Sequence, residues 1–270
     1  MTWAAVTLAA ALVVATPAAA TVAGDAAGTQ PIPTVVATSV PARVVGAGSD
    51  VARSLRAPRG RDVARKPTTA PALLVRVPRN LAVRARPKAG ASAIGTVPAG
   101  SRYYHVPMTA WVEAVSANGR WGRVEIPYVS PRRDGWIRLG GLARSSTAIV
   151  VDVDLSAHRV AVTKAGTKMF AFSAATGAPW SPTPPGEYFV TDRIAFPGGG
   201  ALGSFAFGIS GIQPRLPAGW SGGDQLAIHG TNNPGSIGTS ASAGCVRVSE
   251  AALARLRPLL QLGTPVVIHA

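Results

Sequence analysis

Residues 228–247 read IHGTNNPGSIGTSASAGCVR and contain the only cysteine of the chain, Cys245, sixteen residues after His229. The apolar residues before His229 predict a strand that ends there, and the Thr, Asn, Pro, Gly and Ser residues that follow predict a loop that returns Cys245 to its side. An imidazole beside a thiol can take its proton and later give it to a leaving amine. The spacing alone nevertheless favours a buried, unreactive cysteine, so the flanking sequence has to decide.

The residues around this pair resemble those of the L,D-transpeptidase (YkuD-like) catalytic domain. That family combines His-Gly-Thr, found here at 229–231, with Ser-x-Gly-Cys-(Ile/Val)-Arg, found at 242–247. Its Ala-Thr-Gly and Thr-Pro-x-Gly-x-(Phe/Tyr) segments are similar to residues 175–177 and 183–188. Many members carry histidine immediately before Gly-Cys, whereas this chain has Ala243. The resemblance covers residues 147–270 and favours a nucleophilic cysteine.

The resemblance implies a cysteine-dependent acyltransferase that acts on peptidoglycan. Cys245 is the predicted nucleophile, and His229 is the predicted proton acceptor and donor. The carbonyl of Gly230 is expected to orient His229, and the backbone N–H groups of Gly244 and Cys245 are expected to stabilise the oxyanion. The predicted reaction forms a 3→3 cross-link. A stem tetrapeptide acylates the cysteine and releases D-alanine, and the amine of a second stem then resolves the thioester.

Five further residues are predicted to bind substrate. Arg247 holds a stem carboxylate or, alternatively, makes a structural ion pair or carbonyl contact. Ser242 bonds within its own loop or touches substrate, and Trp220 is either a substrate wall or a packing residue. Thr231 and Asn232, next to the histidine, complete the set.

Two other functions remain open at this level. An L,D-carboxypeptidase would resolve the same thioester with water, and a catalytically idle protein would only bind the cell wall. The predicted partners are peptidoglycan stem peptides, as donor and acceptor, with anionic wall polymers as a further candidate and no nucleic acid. No cofactor and no metal are predicted, because a single cysteine excludes a cysteine-cluster zinc site and four histidines leave little material for another.

Residues 147–270 are predicted to be a β-rich domain with one or two short helices. Strands are expected over 148–155, 159–163, 168–174, 187–194, 225–229 and 266–269. Ser249 is the predicted N-cap of a helix that continues to Leu260, with Glu250 in its first turn. The Gly- and Pro-rich residues 196–224 are expected to form a mobile flap over the cleft.

Residues 71–146 are predicted to be a small SH3-like β-barrel. Short apolar runs alternate with turn signals there, and Asn118-Gly119 between two strand-like runs predicts a hairpin. Residues 81–87, 94–100 and 135–137 resemble the L-x-V-R-x-x-P, I-G-x-(L/V)-x-x-G and closing G-W-(I/V) segments of bacterial SH3-like domains. An insert that contains Tyr103-Tyr104-His105 departs from that pattern.

The N-terminal residues predict export. Residues 1–24 hold an apolar run and an Ala18-Ala19-Ala20 cleavage site, typical of a signal peptide or, uncleaved, of a membrane anchor, although no basic residue precedes Arg43. Residues 25–70 are predicted to be a disordered Pro/Ala/Arg-rich linker. The net charge is +15, and residues 67–146 carry twelve basic and three acidic groups against eight and six in 147–270. The predicted location is extracytoplasmic, in the cell wall or periplasm.

Overall fold

The computed structural model describes residues 69–270. The signal-peptide prediction for 1–24 and nearly all of the linker prediction for 25–70 lie outside these residues. The described residues all belong to one compact unit. Between residues 69 and 270, no helix has both the length and the hydropathy needed to cross a bilayer.

Two antiparallel sheets surround the first hydrophobic core, in the orders β4-β1-β8 and β3-β2-β7-β6-β5. The predicted hairpin at Asn118-Gly119 is present, because Ala114 pairs with Arg123 on either side of it and Gly119 has a φ of +69°. Leu74 and Trp111 are among the buried residues of this core. The strands are β1 (Ala72–Arg76), β2 (Leu81–Arg84), β3 (Ala93–Val97), β4 (Thr109–Val112), β5 (Ala114–Val115), β6 (Trp121–Glu125), β7 (Asp134–Arg138) and β8 (Arg144–Thr147).

Three further sheets form the second half, in the orders β11-β10-β9-β19-β13, β14-β15-β16-β18 and β12-β17. Ile149, Val151 and Val153 point inward from β9 and alternate with less buried residues, as a half-buried strand requires. The strands are β9 (Ile149–Asp154), β10 (Arg159–Lys164), β11 (Thr167–Ser173), β12 (Thr176–Gly177), β13 (Gly186–Phe189), β14 (Ile194–Ala195), β15 (Phe205–Ile212), β16 (Gln225–His229), β17 (Ser240–Ser242), β18 (Val246–Arg247) and β19 (Pro265–His269).

The α-helix of the described residues, α1 (Glu250–Leu256), starts where the sequence predicts and ends earlier. The side chain of Ser249 accepts a hydrogen bond from the N–H of Ala252, which caps the first turn. The prediction continued the helix to Leu260. Pro258 lacks the N–H that would extend the backbone ladder, so the helix ends before it.

One strand prediction is wrong, and the segment predicted as a flap is regular in its middle. The strand predicted over 187–194 is divided, because Gly186–Phe189 pairs with β19 whereas Ile194–Ala195 pairs with β15 in a different sheet. The predicted flap, 196–224, contains the eight-residue strand β15, buried along nearly its whole length. Gly208 and Gly211 both lie within the strand. The mostly β architecture with one helix agrees with the predicted fold class.

The two cores meet at Ser210 in the middle of β15. Its backbone carbonyl accepts a hydrogen bond from the N–H of Tyr128, and its hydroxyl bonds to the buried carboxyl of Glu125. Phe189 of β13 packs into the first core, and its N–H donates to the Ser210 hydroxyl at 3.0 Å. Burial raises the pKa of Glu125 to about 8, against the opposing effect of its bond with Ser210. The first core is therefore attached to the second through a carboxyl that is protonated at neutral pH.

Replacing Glu125 by glutamine should flatten the dependence of stability on pH. The folded protein keeps the Glu125 proton up to about pH 8, whereas the unfolded chain releases it near 4.5. The free energy of unfolding of the wild type therefore falls as the pH rises through this interval. That of Glu125→Gln falls less, because the contribution of Glu125 is removed while that of Glu113, whose pKa burial raises to about 7, is left. Urea denaturation measures the unfolding free energy of both proteins at pH 5 and at pH 8. From pH 5 to pH 8, the value for the variant minus that for the wild type should increase by at least about 1 kcal/mol. Parallel pH profiles would contradict the prediction.

Candidate active site

Strands β16 and β18 bring Cys245 and His229 close together. The strands are parallel, with Ile228 opposite Val246 and His229 opposite Arg247. Continued by one residue, this register sets Cys245 beside Ala227. Cys245 immediately precedes β18, so this pairing brings it close to the end of β16 that carries His229. Both residues line one cleft of about 200 Å³.

The imidazole of His229 has a defined tautomer. Its Nδ1 lies 2.5 Å from the carbonyl oxygen of Gly230, and a carbonyl can only accept, so Nδ1 carries the hydrogen and Nε2 keeps a free lone pair. His229 is 4% exposed, and burial lowers its pKa to about 4; the bond to Gly230 opposes this shift and the charge of Arg247 adds to it. The ring is therefore a neutral base at physiological pH, oriented by the residue that the sequence predicts.

The thiol of Cys245 is also neutral in the resting structure. Its Sγ lies 4.0 Å from the carbonyl oxygen of Gln225, and the residue is half-buried. Burial raises the pKa of Cys245, while a backbone hydrogen bond at Ala227 and the charge of Arg247 act in the opposite direction. The pair therefore rests as thiol and imidazole, and a thiolate forms only when the proton moves to the ring.

Hydrogen bonds within the nucleophile loop change one predicted role. The buried hydroxyl of Ser242 accepts a hydrogen bond from the N–H of Gly244 at 3.0 Å and donates one to the carbonyl of Cys245 at 2.6 Å. Ser242 thus holds the loop, which is the first of its two predicted alternatives. The N–H of Gly244 is already occupied, so it is not the free oxyanion donor that the sequence predicts. The N–H of Cys245 remains the candidate donor in this loop.

Gly244 occupies a backbone conformation that requires glycine. Its φ is +114°, and a Cβ there would lie 2.2 Å from Nε2 of Gln213. Its carbonyl accepts a hydrogen bond from the Thr183 hydroxyl at 2.8 Å, and the carbonyl of Ala243 accepts one from the Ser181 hydroxyl at 3.0 Å. Residues 181–183, which overlap the 183–188 segment of the sequence resemblance, therefore hold the backbone of residues 243–244 through two hydrogen bonds.

Alanine at position 244 should destabilise the protein more than alanine at position 238. Gly238 also has a positive φ, +91°, but a Cβ there meets nothing within 4 Å. Gly238→Ala should therefore cost only backbone strain, about 1 kcal/mol, whereas Gly244→Ala adds a collision with Gln213 and should cost about 3 kcal/mol. Urea denaturation of both variants measures the difference. Equal losses would show that the loop accommodates the extra carbon.

Arg247 lines the cleft beside His229 and keeps one donor free. Its Nη1 donates to the carbonyl of Ala241 at 3.4 Å, while its buried Nε has no hydrogen-bond partner. The ion pairs recorded for residues 69–270 do not include Arg247. The free Nε–H agrees with the predicted role of Arg247 as a carboxylate ligand, which remains a prediction.

The other predicted substrate-binding residues separate into two groups. Trp220 lines the cleft, is 46% exposed, and donates from its indole N–H to the carbonyl of Gly223 at 2.7 Å. Thr231 and Asn232 are not among the residues that line the cleft. The hydroxyl of Thr231 instead accepts a hydrogen bond from the N–H of Asn233, which stabilises the loop after the histidine.

The first half of the chain supplies part of the cleft wall, which the sequence did not predict. Tyr103 and Tyr104, both about half exposed, line the same cleft as Cys245. The Tyr103 hydroxyl donates to Oδ1 of Asp224 at 2.9 Å, and Nη1 of Arg102 lies 3.2 Å from Oδ2 of the same carboxylate. Asp224 immediately precedes β16. The departure of this tyrosine-containing insert from the SH3-like pattern was the available signal.

The pair and its cleft have no metal-binding neighbour in the described part of the chain. Across residues 69–270, no three His, Cys, Asp or Glu side chains are grouped so that they could hold a metal ion.

Comparison with known proteins finds a family match for the second half of the chain. Residues 148–268 match the family model YkuD, the L,D-transpeptidase catalytic domain. The YkuD protein of Bacillus subtilis (strain 168) is 29% identical over 119 residues, 44% of this chain and 65% of its own length. Its namesake in Bacillus licheniformis is 26% identical over 177 residues, 61% of this chain and 97% of its own. Both names provisionally assign L,D-transpeptidase activity to those two proteins.

Two solved structures are similar to this chain at low identity. L,D-transpeptidase 3 from Mycobacterium tuberculosis is 17% identical, with a TM-score of 0.40, and the match covers 59% of this chain and 82% of that one. An L,D-transpeptidase from Mycobacterium smegmatis is 15% identical, with a TM-score of 0.37 over 60% and 89% of the two chains. The family match confirms the resemblance predicted for the catalytic domain. It does not extend to residues 71–146, so the SH3-like assignment stays a prediction.

Proposed function

We propose that the chain forms 3→3 cross-links in peptidoglycan through a cysteine acyl-enzyme, and the match of residues 148–268 to the L,D-transpeptidase catalytic domain supports this proposal. The observation that carries the proposal is the pairing of β16 with β18, which leaves a neutral thiol and an oriented neutral imidazole in one cleft. A nucleophile, a base and a group that orients the base are what acyl transfer requires.

In the acylation step, Sγ of Cys245 attacks the carbonyl carbon of the third stem residue while its proton moves to Nε2 of His229. The carbonyl oxygen becomes an oxyanion, for which the N–H of Cys245 is the proposed donor. When the intermediate collapses, the C–N bond to D-alanine breaks, and the imidazolium gives its proton to the leaving amine. A thioester and free D-alanine result, and His229 is again neutral.

In the second step, the side-chain amine of a neighbouring stem attacks the thioester. His229 accepts a proton from that amine and returns it to the sulfur, so that an amide forms and the thiol is restored. Because water could attack the same thioester, the outcome depends on how the acceptor and the cleft walls exclude it. Tyr103, Tyr104 and Trp220 line that cleft and are the exposed aromatic residues available for this purpose.

The remaining parts of the proposal concern location and attachment. We propose that the chain is exported through its N-terminal residues and acts outside the cytoplasm. Residues 71–146 are proposed to be an SH3-like module that keeps the enzyme on the wall. Their charge supports this role, because twelve basic groups against three acidic ones, counted from residue 67, attract anionic wall polymers.

One incubation tests the activity. The full chain is mixed with a disaccharide tetrapeptide, and the masses of the products are determined. A cross-linked dimer together with free D-alanine is the expected result. A bare tripeptide would establish hydrolysis instead of transfer, and an unchanged donor would support the idle wall-binding alternative. Cys245→Ala, which lacks the thiol, is the control.

A further inference from the structure

The carboxyl group of Asp192 is buried in the active-site cleft with one oxygen unused. Asp192 is 0% exposed and is among the residues that line the cleft with Cys245 and His229. Its Oδ2 accepts hydrogen bonds from the Thr191 hydroxyl at 2.7 Å and from Nε2 of Gln225 at 2.8 Å. Its Oδ1 has no hydrogen-bond partner. One half of the carboxyl group is therefore held firmly, and the other half is buried without a partner.

No cationic side chain of the described residues compensates for this oxygen. Asp192 belongs to none of the ion pairs recorded between residues 69 and 270. The nearby Arg102 is paired with Asp224, and Arg193 donates to the carbonyl of Arg257. The hydroxyl of Tyr128, whose pKa the nearby Asp192 helps to raise, is a neutral group and does not supply the missing charge. Leaving a buried carboxylate oxygen unpaired is costly, so the arrangement favours a cationic group from a ligand.

Gly208 and Gln225 connect the Asp192 carboxyl to the catalytic thiol. Gly208 also lines the cleft, and a Cβ there would lie 2.7 Å from Oδ2 of Asp192, so only glycine lets the carboxyl group lie so near that wall. The side chain of Gln225 bonds to Asp192, while the backbone carbonyl of Gln225 lies 4.0 Å from Sγ of Cys245. Gln225 thus contacts the reacting sulfur through its backbone and the Asp192 carboxyl group, at Oδ2, through its side chain.

We propose that Oδ1 of Asp192 accepts the side-chain ammonium group of the third residue of the donor stem, an inference that rests on the proposed function. The donor residue whose carbonyl is attacked must lie against Cys245, so its side chain is the part of the substrate that can reach Asp192. The donor amine takes no part in the reaction and can remain protonated. An acceptor amine has to lose its proton before it attacks, and a carboxylate partner would oppose that loss.

Binding to the thiol-free protein tests this assignment without turnover. Two stem tetrapeptides are compared by calorimetry on Cys245→Ala, one with lysine at the third residue and the other with Nε-acetyl-lysine. The free amine is expected to bind at least about tenfold more tightly, because acetylation removes the charge that Asp192 would pair. Adding Asp192→Asn should reduce this ratio to about one. The asparagine oxygen can keep the bonds to Thr191 and Gln225, so that only the atom at the Oδ1 position changes.

Asp224→Asn is the matched control, since it removes a carboxylate from the same cleft that already has partners in Tyr103 and Arg102. In that variant the ratio between the two peptides should persist. Equal binding of both peptides to Cys245→Ala, or a ratio that survives Asp192→Asn, would overturn the proposal. The first comparison needs no change at Asp192, so it holds even if that variant folds poorly. Absence of D-alanine release by the wild type would instead count against the proposed function alone.

Discussion

Cys245→Ser should reduce the release of D-alanine from a stem tetrapeptide by at least about a thousandfold. A serine hydroxyl is a far weaker acid than a thiol, and the base beside it is weak, because burial lowers the pKa of His229 to about 4. Burial raises the pKa of Cys245, so transfer of the thiol proton to His229 already costs free energy. Transfer from a serine hydroxyl, which is a weaker acid, would cost far more. Release of D-alanine, measured under conditions of excess donor, gives the ratio of rates.

The same experiment has a covalent counterpart. Cys245 is the only cysteine of the chain, so a donor-derived mass increase on the wild-type protein that is lost on thiol replacement identifies the thioester. Cys245→Ala should match Cys245→Ser in rate, because neither residue can attack the carbonyl. Unchanged melting temperatures would show that both variants are folded. A serine variant that keeps more than about a tenth of the wild-type rate would assign the nucleophile to another residue.

Local sequence was sufficient for the catalytic pair because its geometry is local. β16 has the predicted bounds, Gln225–His229, and the loop that follows returns the chain to pair in register with the same strand. The carbonyl of Gly230, adjacent to His229, is likewise within reach of any such turn. The sequence therefore predicted the catalytic pair and the Gly230 carbonyl, because both depend on residues that are close together in the chain.

Features that depend on distant residues could not be predicted in this way. β15 lies in a Gly- and Pro-rich segment, and it is a strand because β14 and β16 pair with it on either side. Asp192 reads as part of a strand, and only the fold shows that Thr191 and Gln225 hold one oxygen and leave the other free. The cleft wall at Tyr103 depends on a hydrogen bond to Asp224, which lies 121 residues further along the chain.

His229→Asn should lower the rate of D-alanine release by about a hundredfold to ten-thousandfold, the usual contribution of a general base. The asparagine amide can still donate to the Gly230 carbonyl, so the variant removes the base while keeping that bond. The pH dependence separates this role from a structural one. In the wild type, kcat/KM should rise with pH through about 4, where the imidazole loses its proton and becomes able to accept one from the thiol. In the variant, kcat/KM should not rise with pH near 4. An unchanged rise would show that a group other than His229 titrates there.

The stability of the same variant gives an independent check on the buried, neutral imidazole. The histidine of the unfolded chain takes up a proton near pH 6.5, whereas the folded protein resists it down to about pH 4. The unfolded state therefore binds more protons in this interval, and the wild type loses stability as the pH falls through it, by about 3 kcal/mol in total. His229→Asn has no such group. The difference in unfolding free energy between wild type and variant, measured by urea denaturation, should accordingly shift by that amount in favour of the variant between pH 7 and pH 4. If the difference in unfolding free energy did not change with pH, the imidazole would be hydrated and charged in the folded protein at low pH. That result would contradict the neutral-base mechanism.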